Sequence, residues 1–590
     1  MKLFDVLVRE SANKVFGALL LGVITGICFS MLIPLVLISL ETPVATATAA
    51  SEGSGAIQWL GIWVSQYRIA TAFLIICVGI IVFKTLSQVL MSRVSMDAAY
   101  SLRVGIYRSI SNAPIESLER MGSSKLMAII TGDIPRIMNG ATVIPELITS
   151  TVTLLGILFF LTFISFPAFL FIVLALTFGL LTHQIPTSIG EKYYASAREY
   201  WDSLHEGIRG VIYGAKELKL NHRKREAFYD QELLPNENNI RRFERKGFMF
   251  MQTANNYGDM FGFIIIGVVA FILSNYQTLS QADLFGVVMA MIYIISPMGS
   301  VLQCLPTIAV AKISLARLND LNIKLEAEPF DSAIEPSKPW QSITLRDVCY
   351  TYGSDLSSHE AFHMGPVSFT LKKGEVTFIV GGNGSGKSTL SKLITQHYQP
   401  SSGTILFDDV EVDATNRNRY RQDISAIYSD YFLFSQILSS SDKELDTIVV
   451  QYLEELEIKH KVKVEDGRFS TIALSDGQKR RLALVVAMLD NCELYVFDEW
   501  AADQDPTFKA VFYHHILPKL KQQGKAILVI SHDDRFFSVA DQLVWMEAGQ
   551  LSKIERPSDD PTQTSSTTDT LCEQDTPASL ATKDNETGCI

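Results

Sequence analysis

Six nearly uncharged stretches, each long enough to cross a bilayer, dominate the first half of this 590-residue sequence. They lie at about 15–40, 69–91, 143–165, 167–185, 252–274 and 284–310. A membrane-spanning helix needs about 20 apolar residues, and hydrocarbon offers the backbone no hydrogen bonds, so such stretches fold as helices. The first stretch exceeds the apolar core of a signal peptide, which favours a retained helix. The sequence therefore predicts an all-α transmembrane domain of six helices over residues 1–311, with the lipid bilayer as a partner.

The distribution of Lys and Arg predicts how the spans are oriented, because basic loops stay in the cytoplasm. Residues 41–67, residues 274–283 and the turn at Ser165 lack both residue types, whereas the connections 92–140 and 186–250 are rich in them. We therefore expect both long connections and both termini to be cytoplasmic. The connections have helical patterning, and we expect them to turn and touch a cytoplasmic domain at 113–118 and 214–218.

Two acidic residues stand at the beginnings of predicted spans, Glu146 in the third and Asp259 in the fifth. An ionisable group inside a bilayer suggests a substrate path. Both positions are equally compatible with the inner headgroup level, so the sequence leaves the two interpretations open.

The second half of the chain has the composition of a soluble domain with a linker and a tail. Residues 312–339 are polar and punctuated by proline, which predicts a linker. A domain is predicted at 340–555, and the Ser-, Thr- and Asp-rich residues 556–590 are expected to be disordered. The net charge of -12 argues against a nucleic acid as partner, since such partners select basic surfaces.

A glycine-rich loop in the soluble domain follows the apolar run 376–380 and precedes a helical pattern. Its sequence is Gly381-Gly382-Asn383-Gly384-Ser385-Gly386-Lys387-Ser388-Thr389. Between a strand and a helix, the N–H groups of such a loop and the helix N-terminus bind phosphate oxygens. Lys387 supplies a charge for the β and γ phosphates, and the Ser388 hydroxyl is placed to bind Mg²⁺. The whole loop is therefore a candidate nucleotide-binding site.

Further motifs follow the loop in a fixed order. The apolar run 494–497 ends in Asp498, which is placed to hold Mg²⁺, and Glu499, which is placed to polarise water. The other motifs are Leu474-Ser475-Asp476-Gly477-Gln478, Asp503-Gln504-Asp505 and Ser531-His532-Asp533. Together with the six spans, these motifs predict an ATPase coupled to a membrane domain.

With its motifs in this order, the soluble domain resembles an ABC-transporter ATPase, and the six spans with two long connections resemble an exporter half-transporter. The resemblance implies an all-α six-helix transmembrane domain fused to an α/β P-loop ABC ATPase domain that uses ATP and Mg²⁺. It implies Glu499 and His532 as catalytic residues, and Ser388 and Asp498 as metal ligands. The loop 381–389 is the Walker A motif of this family. The other implied nucleotide-binding residues are Tyr352, which matches the aromatic residue that stacks on adenine, Ser475, Gly477 and Gln478 of the signature, and Asp505 of the D-loop.

A narrower resemblance is carried by motifs in both halves of the chain, at 214–221, 474–484, 498–506 and 530–534. These segments resemble the bacterial cyclic-peptide and siderophore-precursor exporters, which include the syringomycin, pyoverdine-precursor and microcin J25 exporters. The resemblance implies export of a peptide, cyclic or siderophore-related, across a bacterial inner membrane. Since the chain has one Walker A loop and one signature, the resemblance also implies a homodimer.

Three other functions stay open from the sequence: a multidrug or lipid exporter with the same motor, an ATP-gated sensor without transport, and an importer with a periplasmic partner. No protease-like domain is expected before the first span. The chain also departs from the family pattern at two places. Ser429 stands where most members of the family carry Gln, and the sequence leaves open whether Asp430 or a water takes the role of that Gln at the metal. The interval from Lys387 to Ser475 is shorter than usual for the family, which implies a trimmed helical subdomain.

Overall fold

The computed structural model describes residues 3–41, 57–59, 62–64, 67–273, 281–325, 328, 338–352, 362–438 and 445–557. Contacts divide the chain into two units, Met1–Ile110 with Met121–Lys324, and Ser111–Arg120 with Leu325–Ile590. Residues 558–590, most of the predicted tail, lie outside the described residues, as does the side chain of Asp259.

In its described residues, the first unit is helical apart from one short hairpin. Its helices are α1 (Leu3–Glu41), α2 (Tyr67–Asn112), α3 (Ile115–Met121), α4 (Ser123–Ala128), α5 (Ile134–Thr142), α6 (Ile144–Ile164), α7 (Phe166–Tyr213), α8 (Ala215–Leu220), α9 (His222–Phe228), α10 (Leu234–Val268) and α11 (Gln281–Lys324). Most of α3 belongs to the second unit. The hairpin pairs β1 (Ile57–Trp59) with β2 (Ile62–Val64), and the π-helical stretches are Ile129–Asp133, Tyr229–Leu233 and Val269–Leu273.

Six of the helical segments in the described residues are long and apolar enough to cross a membrane, which confirms the predicted number of spans. They are Leu3–Ser39, Tyr67–Asn112, Ser123–Ile164, Phe166–Tyr213, His222–Ile272 and Asp283–Leu321. Each helical segment runs on beyond the predicted apolar stretch, because polar residues with helical patterning continue it. The last helix, α11, continues to Lys324, inside the region for which the sequence predicts a linker.

Small residues bring α1 and α6 close together. A Cβ atom added at Gly26 would lie 2.7 Å from the Cβ of Val152, and one at Gly156 would lie 2.5 Å from the Cβ of Ser30. The Thr149 hydroxyl donates to the carbonyl of Gly22 across the same interface, at 3.2 Å. Helices in lipid associate through such close backbone packing, since apolar side chains gain little there by leaving the lipid.

Aromatic stacking joins α7 to α10. The rings of Tyr193 and Phe250 stack with centroids 5.7 Å apart, and those of Tyr200 and Phe243 with centroids 5.6 Å apart. The indole N–H of Trp201 donates to Glu244 at 2.9 Å. These contacts hold the two long helices side by side in the stretch that the sequence predicts to be the second cytoplasmic connection.

The second unit contains a six-stranded sheet, a four-stranded sheet and a two-stranded ribbon, with short helices around them. The strands are β3 (Ser342–Thr351), β4 (His363–Lys372), β5 (Val376–Val380), β6 (Ser402–Phe407), β7 (Val410–Glu411), β8 (Ile424–Ile427), β9 (Val464–Glu465), β10 (Arg468–Phe469), β11 (Leu494–Asp498), β12 (Ala526–Ile530), β13 (Gln542–Glu547) and β14 (Gln550–Glu555). The helices are α12 (Lys387–Ile394), α13 (Arg417–Arg421), α14 (Leu445–Glu455), α15 (Asp476–Asp490), α16 (Pro506–Val511) and α17 (Leu517–Gln522).

The larger sheet positions the site. Its order is β14-β13-β5-β12-β11-β8, parallel except for the edge strand β14, and β5, β11 and β12 are buried along their whole lengths. Carboxyl ends of neighbouring parallel strands meet at one edge of a sheet, where ligands of such folds bind. The glycine-rich loop, Asp498 and His532 follow β5, β11 and β12, so the topology places them at that common edge.

Glu328 forms an ion pair with two arginines of the second unit. Its carboxylate accepts two hydrogen bonds from Arg421, at 2.5 and 3.2 Å, and lies 3.6 Å from the guanidinium of Arg417. The side chains of Glu328 and Arg417 are 7% and 8% exposed, so the ion pair is shielded from water. The N–H of Glu328 also donates to the carbonyl of Asn112, at 2.7 Å.

Candidate functional site

The glycine-rich loop adopts a conformation that only its glycines permit. Gly381 has φ +156°, and a Cβ there would lie 2.1 Å from the carbonyl oxygen of Met546. Gly386 is the left-handed residue, with φ +95°, from which α12 begins. The loop therefore exposes successive N–H groups and a helix N-terminus, as an anion site requires.

Two polar side chains of the loop fit a phosphate group. The Lys387 ammonium donates to the carbonyls of Gly381 and Gly382, at 3.0 and 2.8 Å, so it lies across the loop. Burial lowers the pKa of Lys387, while Glu499 and Asp498 oppose the shift. The buried Ser385 hydroxyl has no hydrogen-bond partner among the described residues. A cavity of about 840 Å³ borders residues 381–385 and His532, which is ample for a nucleotide.

The carboxylates at the end of β11 have different environments. Asp498 is 3% exposed, and burial together with the neighbouring Glu499 raises its pKa, against a hydrogen bond from Ser388. The Glu499 carboxylate is more accessible and lies 3.0 Å from Nε2 of His532. A hydroxyl paired with one buried carboxylate fits Mg²⁺, which keeps waters and takes further oxygens from phosphates.

Tyr352 is partly exposed, and neighbouring side chains hold its ring in place. Its hydroxyl lies 3.2 Å from the Thr389 hydroxyl, and its ring contacts Tyr350 and Tyr398 edge to face, with centroids 5.1 and 5.9 Å away. The ring is thus held near the phosphate loop, and it is 37% exposed, as stacking on a base requires.

The signature residues lie at the beginning of α15. Ser475 caps this helix, and its side chain and that of Gln478 hydrogen-bond reciprocally to each other's backbone N–H groups. Gly477 packs against the D-loop, since a Cβ there would lie 2.9 Å from the Asp503 carbonyl. Asp505 caps α16 through the N–H of Phe508. These residues border a separate cavity of about 620 Å³, which residues 381–389 do not line.

Sequence reasoning missed three residues beside these motifs. Arg480 is buried and donates to the carbonyl oxygen of Glu499. Lys392, in the last turn of α12, and Tyr398, four residues after that helix, both donate to the carboxylate of Glu119, the former at 2.8 Å. Burial opposes ionisation of Glu119, but these hydrogen bonds outweigh it and hold its pKa below the usual value. None of these contacts has a motif of its own in the sequence, because the residues that meet are distant in the chain.

The segment 111–120 thus belongs to the second unit through its own contacts. It contains the first of the two turns for which the sequence predicts a contact with the cytoplasmic domain. The second turn, 214–218, lies in the first unit, and its contact stays a prediction. Ser429 follows Tyr428, whose hydroxyl lies 2.6 Å from that of Thr395, and Asp430 is near enough to Asp498 to raise its pKa.

A phosphate-binding loop at the carboxyl edge of a parallel sheet, with an acidic pair and a histidine beside it, defines an ATPase, and the six spans join it to a membrane. The models of two protein families match the chain. They are described as "ABC transporter", matching residues 364–502, and "ABC transporter transmembrane region", matching residues 16–186. The ATP-binding protein SyrD of Pseudomonas syringae pv. syringae is 32% identical over 468 residues, which cover 77% of this chain and 82% of SyrD. The chain belongs to the ABC transporter family, and it is a multi-pass membrane protein that binds and hydrolyses ATP to drive transport.

Other relatives agree with this assignment. A probable ABC transporter ATP-binding/permease protein of Haemophilus influenzae is 22% identical over 519 residues, covering 82% of this chain and 89% of that protein. The leukotoxin translocation ATP-binding protein LktB of a Pasteurella haemolytica-like species is 26% identical over 274 residues, covering 44% of this chain and 37% of LktB. The structure of a bacterial Atm1-family ABC exporter with ATP bound matches the fold with a TM-score of 0.69 at 16% identity, over 94% of this chain and 96% of that one.

Proposed function

We propose that two copies of this chain form a peptide exporter in which each ATP lies between the Walker A loop of one copy and the signature of the other. One observation carries the proposal. Within a single chain the Walker A loop and the signature line separate cavities, and neither cavity contains residues of both motifs. A nucleotide that needs both motifs therefore needs two chains, and the simplest assembly is a homodimer.

Each of the predicted site residues then has its own role in ATP binding or hydrolysis. Residues 381–389 bind the phosphates, and Tyr352 stacks on the adenine. Mg²⁺, when held by Ser388 and Asp498, supplies positive charge to the phosphate oxygens. Glu499 accepts a proton from the attacking water, and His532 holds the carboxylate in place through their 3.0 Å contact. Ser475, Gly477, Gln478 and Asp505 complete the nucleotide site of the other copy.

We infer that the cargo is a peptide, cyclic or siderophore-related, and that it leaves the cytoplasm across a bacterial inner membrane. The support is the resemblance of residues 214–221, 474–484 and 498–506 to cyclic-peptide and siderophore-precursor exporters, and the toxin translocation named for one relative. The basic connections 92–140 and 186–250 support a cytoplasmic ATPase domain and cytoplasmic termini. ATP drives the change from inward-open to outward-open because it binds the closed dimer more tightly.

The dimer is tested with Glu499→Gln. This variant keeps the size of the side chain and removes the proton acceptor, so it should retain Mg-ATP in a stable closed dimer while turnover falls about 100-fold or more. Retained nucleotide and the mass of the assembly are measured on purified protein, with Lys387→Ala as the variant that fails to retain ATP. A monomer that hydrolyses ATP at the wild-type rate, or unchanged turnover in Glu499→Gln, refutes the proposal.

The cargo is tested in inside-out membrane vesicles, whose outer face carries the ATPase domain if the orientation is right. ATP-dependent uptake of a cyclic peptide, a linear peptide of the same composition and a fluorescent phospholipid is compared, with Glu499→Gln vesicles as the background. Uptake of the cyclic peptide above the other two supports the assignment. Uptake of the lipid alone would reassign the protein as a lipid exporter.

A further inference from the structure

One buried arginine joins the signature helix α15 to the backbone of the catalytic residue Glu499. Arg480 lies in the first turns of α15, and its side chain is 11% exposed. One guanidinium nitrogen donates to the carbonyl oxygen of Glu499 at 2.5 Å, and the other pairs with the Asp503 carboxylate at 2.7 Å. Because both terminal nitrogens of its planar guanidinium have partners, the Arg480 side chain has little freedom to take another position.

The backbone at Glu499 needs such support. Glu499 has φ +50°, the left-handed region that residues with a side chain seldom adopt. Such a conformation persists only where the surroundings hold it, and it is concentrated at functional sites. The N–H of Glu499 donates to the Ile530 carbonyl at 3.1 Å, which fixes one side of the residue. Arg480 fixes the other side, and together they determine where the carboxylate points.

Trp500, the residue after Glu499, makes the connection reciprocal. Its indole N–H donates to the carbonyl oxygen of Arg480 at 2.9 Å. The indole is 1% exposed and packs on the ring of Phe512, with centroids 4.3 Å apart. The turn that contains Arg480 and the turn that contains Glu499 are therefore joined by two hydrogen bonds in opposite directions and rest on one aromatic cluster.

We propose that Arg480 is a positioning residue that sets the Glu499 carboxylate according to the position of the signature helix. The inference rests on the proposed homodimer, in which the signature at the beginning of α15 contacts the nucleotide of the other copy. A shift of α15 on that nucleotide moves the Glu499 carbonyl through Arg480, so each nucleotide site adjusts the catalytic group of the opposite site. Arg480 acts through the backbone of Glu499 and is not itself a catalytic residue.

The test compares Arg480→Gln and Arg480→Lys in the full-length protein. Gln loses the charge and both contacts, so kcat for ATP should fall about tenfold to one hundredfold, the effect of one hydrogen bond to a charged group. The KM for ATP should stay within about threefold, since ground-state binding is untouched. Lys can reach only one of the two acceptors, so it should recover part of kcat.

Two further variants keep the proposal testable if Arg480→Gln does not fold. Asp503→Asn leaves Arg480 and Glu499 in place but removes the partner that orients the guanidinium, and it should lower kcat less than Arg480→Gln does. Lys519→Gln removes a cation from an exposed pair with Glu455 and should leave kcat unchanged. The proposal is overturned if Arg480→Gln has the wild-type kcat, or if Asp503→Asn does where Arg480→Gln fails to fold. A fall in kcat accompanied by an equal rise in KM also overturns it. Neither result would contradict the proposed homodimer.

Mixed dimers locate the effect. Single-turnover hydrolysis is measured in dimers with one Glu499→Gln copy, with Arg480→Gln added either to that same copy or to the other copy. The first dimer should match the dimer with Glu499→Gln alone, because its intact Glu499 keeps its own Arg480. The second should lose about tenfold or more. Equal rates in the two arrangements would show that Arg480 does not act on the Glu499 of its own chain.

Discussion

Replacing Glu328 by alanine should destabilise the second unit strongly. The substitution removes the carboxylate that pairs with Arg417 and Arg421 and leaves their charges buried. Removing one partner of a buried ion pair costs about 3–5 kcal/mol. For a domain of this size, each kcal/mol lowers the melting temperature by about 2–4 °C. We therefore expect the transition of this unit to fall by about 6–20 °C.

Arg417 should account for most of this loss. Its side chain is 8% exposed, and its Nε has no hydrogen-bond partner among the described residues even with Glu328 present. Arg421 keeps the Gln396 carbonyl as an acceptor at 3.0 Å. The double variant Glu328→Ala, Arg417→Met removes the uncompensated charge and should regain part of the melting temperature.

The assay is thermal unfolding of the full-length protein in detergent, with calorimetry used to detect the unfolding transitions. The transition of the second unit is identified as the one that ATP shifts. Glu454→Ala serves as the control, since it removes an acid from the exposed pair with Lys459 and should cost at most about 1 kcal/mol. If Glu328→Ala lowers the melting temperature no more than this control does, the buried ion pair does not stabilise the second unit and the prediction is wrong.

Three further predictions concern the same unit. Glu119→Gln removes the charge that Lys392 pairs with at 2.8 Å, so trypsin should cleave faster after the exposed Arg120. Burial, aided by a nearby arginine, lowers the pKa of His397 from 6.5 to about 4. Between these pH values the unfolded chain binds a proton that the folded chain does not, so stability should fall by about 3 kcal/mol as the pH drops, and His397→Asn should show a shallower fall in urea titrations. Finally, ATP at one hundred times its Kd should stabilise the wild type by about 2.7 kcal/mol and leave Lys387→Ala unchanged, as measured by the ATP-dependent melting shift.

The sequence predicts the parts of the fold that depend on local pattern. The spans follow from apolar length, and the strand 376–380 with its loop and helix lies where the motif predicts it. Helix ends are less visible, because the polar continuation of α11 to Lys324 has the composition of a linker.

The contacts around the site depend on residues that are distant in the chain. Arg480 and Glu499 meet only because α15 packs beside the end of β11, and Glu119 and Tyr398 meet although 279 positions separate them in the sequence. Neither pair has a motif of its own. A basic residue after the signature suggests a solvated helix face, and burial of its guanidinium becomes apparent only from its contacts with the Glu499 carbonyl and the Asp503 carboxylate.

The shortness of α12 has a mechanical consequence. One end of this eight-residue helix begins at Lys387, and the other end holds Glu119 through Lys392. A helix of that length is only about 12 Å long and has no flexible joint inside it. We therefore expect α12 to move as a rigid body, so that a tilt of the helix at its phosphate-binding end also displaces the segment 111–120.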